Sequence, residues 1–123
     1  MTLCIAAGGT VLALAVNSFT LSWSHSVTRS QWWERWEVSA QGIRPVEARI
    51  TGSGPGMEPP EGALLQDGVW TYTPDLPPQR EVFLAASGMT TGGWQLCTGE
   101  GCIMLGAQPG PPLRLWQAAE CAG

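Results

Sequence analysis

Lysine is absent from this chain of 123 residues, and charged side chains of every kind make up only 13% of it. An ordinary soluble domain carries roughly a quarter. The six basic residues are all arginines, scattered without a basic run, and the net charge is −4. Because clustered basic side chains supply most of the affinity for phosphate backbones, this pattern argues against a nucleic-acid partner. A surface so poor in charge is covered by small polar residues or meets a partner.

The chain also lacks an apolar run that could span a bilayer. The apolar stretch at residues 3–16 is interrupted by Gly8 and Gly9, and it is shorter than the roughly 20 residues that a transmembrane helix needs. No Lys or Arg precedes it, although Ala13-Leu14-Ala15 loosely resembles a signal-peptide cleavage site. We read it as a β-hairpin with strands at 3–7 and 11–16, with a signal peptide as the alternative. The default location is then the cytoplasm, and a periplasmic or membrane-associated location is the alternative.

Long helices are not expected, because sixteen glycines and ten prolines interrupt the sequence. Short segments of alternating or apolar character recur between these breaks, and they predict strands at 43–51, 69–73, 80–86, 94–97, 102–105 and 113–117. With 44% hydrophobic residues, the chain can fill one core. The prediction is a single all-β domain over residues 1–123, a small antiparallel β-sandwich or barrel of about eight or nine short strands.

Residues 19–38 form the most patterned stretch, and they predict a hairpin. Alternate residues from Phe19 to Val27 are apolar or histidine, and those between them are Thr or Ser. A second alternation starts at Trp32, after the turn-like residues 28–31. Apolar faces must coincide across the pair. This predicts the pairs Val27–Trp32, His25–Glu34, Trp23–Trp36 and Leu21–Val38.

That register makes the single histidine and a glutamate cross-strand neighbours, with Cβ atoms about 4.5–5.5 Å apart. A carboxylate beside an imidazole suits a ligand site, a metal ligand or a general base. The alternative is a buried polar pair that only ties the hairpin down. Ser24 and Ser26 point to the opposite face of the strand from His25, so neither is a suitable nucleophile for it. A small hydrolase is therefore the least favoured function, and no catalytic residue is assigned.

The glycine-rich segment 52–57 is the second candidate for a ligand site. Ser53, Gly54, Gly56 and Met57 could present backbone N–H groups to a small anion, as backbone nests do. The segment lacks the following helix and Lys of a phosphate-binding loop. A tight structural turn is the alternative, because glycine suits any positive φ.

Two further features are singled out by their strand positions. Cys97 and Cys102 flank the turn 98–101 and should lie opposite one another, which permits a disulfide in an oxidising compartment and leaves free thiols elsewhere. Their spacing is not one that structural zinc sites use, so neither a metal nor a cofactor is predicted. Trp33 falls on the polar face of the hairpin, unlike Trp32 and Trp36, and an exposed ring there is a candidate contact for a partner. The alternative is that another element of the fold covers it.

These residues resemble a known family. The tripeptide His25-Ser26-Val27, a following strand with Trp32, Glu34 and Trp36, and the SGPGM loop at 53–57 are similar to the bacterial domain-of-unknown-function family eighteen-fifty. The opening LCIAAGG and the segment DGVWTYTPDLPP extend the similarity over most of the chain. One departure is Thr28, where similar sequences often have an acidic residue.

The resemblance implies an accessory role and no specific reaction. Genes of this family tend to lie beside those of TAXI-type TRAP transporters, which import organic acids with a periplasmic binding protein and a membrane permease. The expected function is an accessory or binding module, with the permease or the substrate-binding protein as partner. The alternative is a β domain centred on His25 and Glu34 that binds a metal or a small ligand, such as an anion.

Overall fold

The structure, a computed structural model, describes residues 1–25, 30–51, 61–86 and 93–121. Within these ranges the chain is organised as eleven β-strands. None of the described residues lies in a helix, so none belongs to a helix that could cross a membrane. The strands are β1 (Thr2–Ala7), β2 (Thr10–Ala15), β3 (Ser18–His25), β4 (Ser30–Ser39), β5 (Gly42–Thr51), β6 (Leu64–Gln66), β7 (Val69–Tyr72), β8 (Glu81–Ala86), β9 (Trp94–Thr98), β10 (Gly101–Leu105) and β11 (Gly110–Gln117).

The strands form two antiparallel sheets. The four-stranded sheet has the order β2-β1-β11-β8, and the seven-stranded sheet has the order β10-β9-β3-β4-β5-β7-β6. The all-β prediction is confirmed, and the arrangement is sandwich-like, with two separate sheets rather than one closed on itself. Every strand predicted from sequence is present, although several ends differ by one to three residues. The short strand β6 was not predicted, because its three residues carry too little pattern.

The core lies between the sheets and draws on both. The four-stranded sheet contributes Leu3, Ile5 and Leu115, each with no exposed surface. The facing strands of the larger sheet contribute Phe19 and Leu21, at 2% and 1% exposure. The predicted apolar face of the central hairpin is therefore the face that is buried. Trp94 links the sheets at one side, because its indole N–H donates to the backbone oxygen of Ala85, 2.9 Å away.

The predicted register of the central hairpin is wrong. Phe19 lies opposite Trp36, Leu21 opposite Glu34, Trp23 opposite Trp32 and His25 opposite Ser30. His25 and Glu34 are therefore not directly opposed. Val27, which was predicted to lie opposite Trp32, falls outside the described residues. The apolar alternation cannot separate the two registers, because shifting a strand by an even number of residues leaves every side chain on its own face.

Aromatic packing accompanies the observed register. The rings of Phe19 and Trp36 are stacked with centroids 5.9 Å apart, and those of Trp23 and Trp32 with centroids 5.6 Å apart. Each stack joins two directly opposed residues. Cross-strand aromatic pairs stabilise a sheet beyond the area that they bury, so this pairing favours the observed register over the predicted one.

Pro45 shows how β5 tolerates a proline inside the larger sheet. It lies opposite Trp36, where the pairing of β4 and β5 shifts register between Arg35 and Trp36. A bulge is one of the few places in a sheet where a residue without an N–H can lie. Beyond the bulge, Glu34 faces Ala48 and Trp33 faces Arg49. The bulge thus determines which residues of β5 lie opposite Trp33 and Glu34 of β4.

Candidate functional site

Glu34 lies on the inner face of the larger sheet, between apolar neighbours. Its opposed residues are Leu21 on β3 and Ala48 on β5, both buried. The indole N–H of Trp36 donates to Glu34 Oε1 at 3.3 Å. Burial raises the pKa of Glu34 above 4.5, and the Trp36 hydrogen bond offsets part of the shift by favouring the carboxylate. The carboxyl group is therefore easier to protonate than an exposed one.

Tyr72 is the ionisable neighbour of Glu34 across β5. It lies opposite Ala48, which in turn lies opposite Glu34, so all three side chains share the inner face. Burial raises the pKa of Tyr72, and the negative charge of Glu34 raises it further. Tyr72 is therefore a neutral phenol at physiological pH, able to donate a hydrogen bond.

His25 is not directly opposite Glu34 in the hairpin. Its backbone partner is Ser30, and the partner of Glu34 is Leu21. Leu21 is four residues from His25 on the same strand, a separation of roughly 13 Å at the usual rise per residue. The cross-strand pairing of His25 with Glu34 that the sequence predicted is wrong for this reason. The side chain of His25, and the predicted ligand residues Ser53, Gly54, Gly56 and Met57, lie outside the described part of the structure.

The tryptophans divide between the two faces as predicted. Trp36 is buried at 6% exposure, whereas Trp23, Trp32 and Trp70 are half-buried. Trp94, on β9, packs against Trp23 with ring centroids 4.5 Å apart. Trp33 is on the outer face and is half-buried there, so its ring is partly covered.

Arg49 is the group that covers Trp33. Its guanidinium carbon lies 4.5 Å from the centroid of the Trp33 ring, at directly opposed positions of β4 and β5. Glu47 holds the guanidinium in place, with Arg49 Nε and Nη2 each 2.8 Å from Glu47 Oε2. Arg35 approaches the same carboxylate at 3.6 Å. A cation over an aromatic ring is attracted by the negative face of the π-system.

A shallow pocket of about 500 Å³ opens around this pair, and we call it the Trp33 pocket. Trp33 and Arg49 form part of its lining, and Met104 contributes an apolar, 53% exposed side chain. Hydroxyl and amide groups supply much of the polar lining: Ser22, Ser24, Gln31, Thr51 and Gln95. Ser22 Oγ donates to Gln95 Oε1 at 3.4 Å. A cleft with an aromatic surface, one cation and several neutral donors is built for binding.

Sequence reasoning found Trp33 but missed the pocket. The alternation of residues in β5 places Glu47 and Arg49 on the face away from the core. The missing fact was that β4 and β5 pair with Trp33 opposite Arg49, since a bulge between them sets that alignment. Contributions from β3, β7 and β9 depended on the strand order of the sheet, which local patterns do not encode.

A preassembled metal centre is absent from the described residues, where no group of three or more His, Cys, Asp or Glu side chains is close enough to hold an ion. All four cysteines are in disulfides. Cys97 and Cys102 are directly opposed, as predicted, and are bonded to each other. The second bond joins Cys4 to Cys121, which are 117 residues apart in sequence. Sequence spacing contained no indication of that pairing.

Comparisons with known proteins assign a family and nothing finer. A family model described as Domain of unknown function (DUF1850) matches residues 19–105, a range that contains Glu34 and the described lining of the Trp33 pocket. No curated protein and no solved structure matches the chain.

Proposed function

The chain belongs to the DUF1850 family, and on that premise we propose that it is a non-enzymatic binding module that assists a TAXI-type TRAP transporter. The family resemblance supports the transporter link. The scarcity of charged residues and the Trp33 pocket support binding to another macromolecule. The proposed partner is the permease or the substrate-binding protein of such a transporter.

The Trp33 pocket is the observation that carries this proposal. Trp and Arg are the residue types most enriched among the contacts that dominate protein interfaces, and here the two are stacked on one another. Glu47 fixes the guanidinium, so binding would cost little side-chain ordering at this point. Arg49 is the one charged residue in the described lining, which lowers the desolvation cost of covering the pocket.

The composition of the pocket favours binding over catalysis. The side chains that the structure describes in its lining include hydroxyls, amides and a guanidinium, but no carboxylate, imidazole or thiol. General acid–base catalysis needs a group that exchanges a proton near the working pH. The described lining can hold and orient a partner without supplying that step.

Affinity capture from membranes tests the proposal. The tagged protein is expected to retain the transporter's permease or substrate-binding protein, and Trp33→Ala should weaken that capture at least about tenfold, as loss of an interface hot spot does. Phe83→Ala is the matched control, because Phe83 is an exposed aromatic on the other sheet, at 59% exposure. The proposal would be refuted if Trp33→Ala captured the partner as well as the wild type does. It would also be refuted if the wild type captured neither the permease nor the substrate-binding protein.

Glu34 supports a second candidate, a small-ligand site on the inner face. Glu34 has a half-buried carboxyl group with a raised pKa. Tyr72, whose pKa is also raised, lies on the same face of the sheet, opposite Ala48, which is itself opposite Glu34. Buried groups with perturbed pKa values are enriched at functional sites. His25 and the 52–57 segment belong to this candidate as predictions. If Glu34→Gln and His25→Ala both leave the thermal shifts produced by a panel of organic acids unchanged, the candidate is wrong.

A further inference from the structure

The edge strand β2 is unusually well suited to pair with another strand. Natural sheets protect exposed edges with charged residues, proline, bulges or very short strands. The edge strand β6 is three residues long, and β8 carries Glu81 and meets a register shift in β11. The fourth edge strand, β10, has neither charge nor proline, but it is five residues long and begins with a glycine, Gly101. β2 is six residues long, TVLALA, and has no charge, proline or glycine. No Asp, Glu, Lys or Arg occurs anywhere before Arg29.

The backbone groups of β2 that pair with no other described strand can be identified from its hydrogen bonds. Val16 N–H donates to the Met1 carbonyl at 3.0 Å, which makes Val16 and Met1 a hydrogen-bonded pair. Such pairs alternate with pairs that exchange no hydrogen bond. The β1–β2 register is regular, so Thr10, Leu12 and Leu14 also direct their N–H and C=O groups toward β1. The groups of Val11, Ala13 and Ala15 therefore point outward from the sheet.

These outward groups are self-complementary, and we propose that β2 is the homodimer interface, where it pairs antiparallel with β2 of a second copy about a twofold axis at Ala13. In this register Ala13 meets Ala13 of the other copy, and Val11 meets Ala15. Each of these pairs exchanges two hydrogen bonds, so every outward group is satisfied. The two four-stranded sheets become one continuous eight-stranded sheet with an isologous contact.

The side chains of β2 fit this partner. Val11, Ala13 and Ala15 share one face and are small, so two copies approach without a clash. On the other face Leu12, which is 37% exposed, meets Leu14 of the second copy and loses apolar surface to it. No charge lies in the strand, so like charges do not oppose one another across the axis. Residues 11–15 are almost palindromic in side-chain size, which suits a second copy in particular.

The contact area sets the expected strength. One strand pair with a few flanking residues belongs at the small end of specific interfaces, below about 1,200 Å². The dimer should therefore form with a concentration-dependent equilibrium rather than as an obligate unit. It is independent of the Trp33 pocket, which lies on the other sheet.

Sedimentation equilibrium on the full chain tests the pairing, with variants that place a charged residue at position 13, on the twofold axis. Ala13→Glu places two carboxylates opposite each other, and Ala13→Lys places two ammonium groups there, so each variant alone should weaken dimerisation by up to about fivefold. An equimolar mixture of the two should associate again as a heterodimer, detected by native mass spectrometry. Ala85→Glu, at an exposed alanine on the opposite edge strand, is the control that should dimerise like the wild type.

Circular dichroism and thermal unfolding establish that each variant is folded before its mass is measured. The proposal is overturned if the wild type stays monomeric up to roughly 1 mM, a weak limit for specific association. It is also overturned if the dimer withstands Ala13→Glu, or if the mixed variants do not re-associate. A wild-type monomer that instead binds an added extended peptide along β2 would assign the edge to a different partner and would overturn it too.

Discussion

Arg49 lies over the ring of Trp33, with 4.5 Å between the guanidinium carbon and the ring centroid, on the outer face of the seven-stranded sheet. The pair joins two directly opposed strand positions, and Glu47 holds the cation from the same face. The outer face is therefore organised around a fixed aromatic–cation unit rather than a single loose tryptophan. That unit is the basis of the proposed partner contact.

The Trp33–Arg49 contact should be measurable as a coupling in stability. In a double-mutant cycle of Trp33→Ala and Arg49→Gln, we expect a coupling of about 0.5–1 kcal/mol in the free energy of unfolding, as for exposed cation–π pairs. Urea denaturation provides the measurement. The matched cycle uses Arg44→Gln, an exposed arginine elsewhere on the same face, and should give no coupling with Trp33. Equal couplings in the two cycles would contradict the contact.

The register of the central hairpin can be tested by a second cycle. Trp23 and Trp32 are stacked at 5.6 Å, so replacing both by Leu should reveal a coupling of about 0.5–1.5 kcal/mol in the free energy of unfolding. His25→Ala and Glu34→Gln should be additive, because the backbone positions are too far apart for direct contact. A clear coupling between His25 and Glu34 would restore the register predicted from sequence.

Glu34 should make stability depend on pH. Its pKa is raised by burial, so the folded protein holds the proton in a pH range where the unfolded chain has lost it. Well below pH 4.5 the carboxyl is protonated in both states and its burial adds no pH dependence. The loss of stability builds up as pH rises from 4.5 to the raised folded-state pKa and is constant above it. We therefore expect Glu34→Gln to gain stability relative to the wild type between about pH 4 and pH 7.

Chemical denaturation at a series of pH values measures this difference. The amide oxygen introduced by Glu34→Gln can still accept from the Trp36 indole, so packing and that hydrogen bond are preserved. Glu37→Gln, at an exposed residue on the outer face of the same strand, is the control for the loss of one carboxylate from β4. A difference that falls with rising pH for Glu34→Gln would show that the carboxylate is favoured in the folded state.

The two disulfides should differ in their contribution to stability because they close loops of different length. Cys4–Cys121 closes 117 residues, and its removal as Cys4→Ala with Cys121→Ala should cost about 4–5 kcal/mol of unfolding free energy. Cys97–Cys102 closes only five residues, and its removal should cost about 2 kcal/mol. Denaturation of the oxidised variants tests the order, and reduction of the wild type should reproduce the combined loss.

Local pattern was sufficient for most of the strands. The alternation from Phe19 and the glycine pair at 8–9 were enough to predict a hairpin each and to say which face of the central hairpin is buried. Gly8 and Gly9 both have positive φ, at +57° and +84°, which explains why the chain turns there. The pairing of Cys97 with Cys102 also follows from local sequence, because a short hairpin turn places the residues on its two sides opposite one another.

The candidate site was less predictable, since it depends on which even-numbered shift of the hairpin is adopted. The predicted register brought His25 to Glu34, whereas aromatic stacking accompanies a pairing of Leu21 with Glu34. Arg49 reached Trp33 only through the alignment of β5 with β4 past the bulge near Pro45. Neither alignment between strands can be predicted from the alternation of residues within a single strand.

The sequence by itself determined the fold class, the positions of the predicted strands and the buried face of the hairpin, because these depend on the alternation of neighbouring residues. The tertiary structure decided the hairpin register, the strand order, the Cys4–Cys121 bond and the assembly of the Trp33 pocket. These depend on contacts between residues far apart in sequence, whose relative energies are set by packing once the strands are side by side.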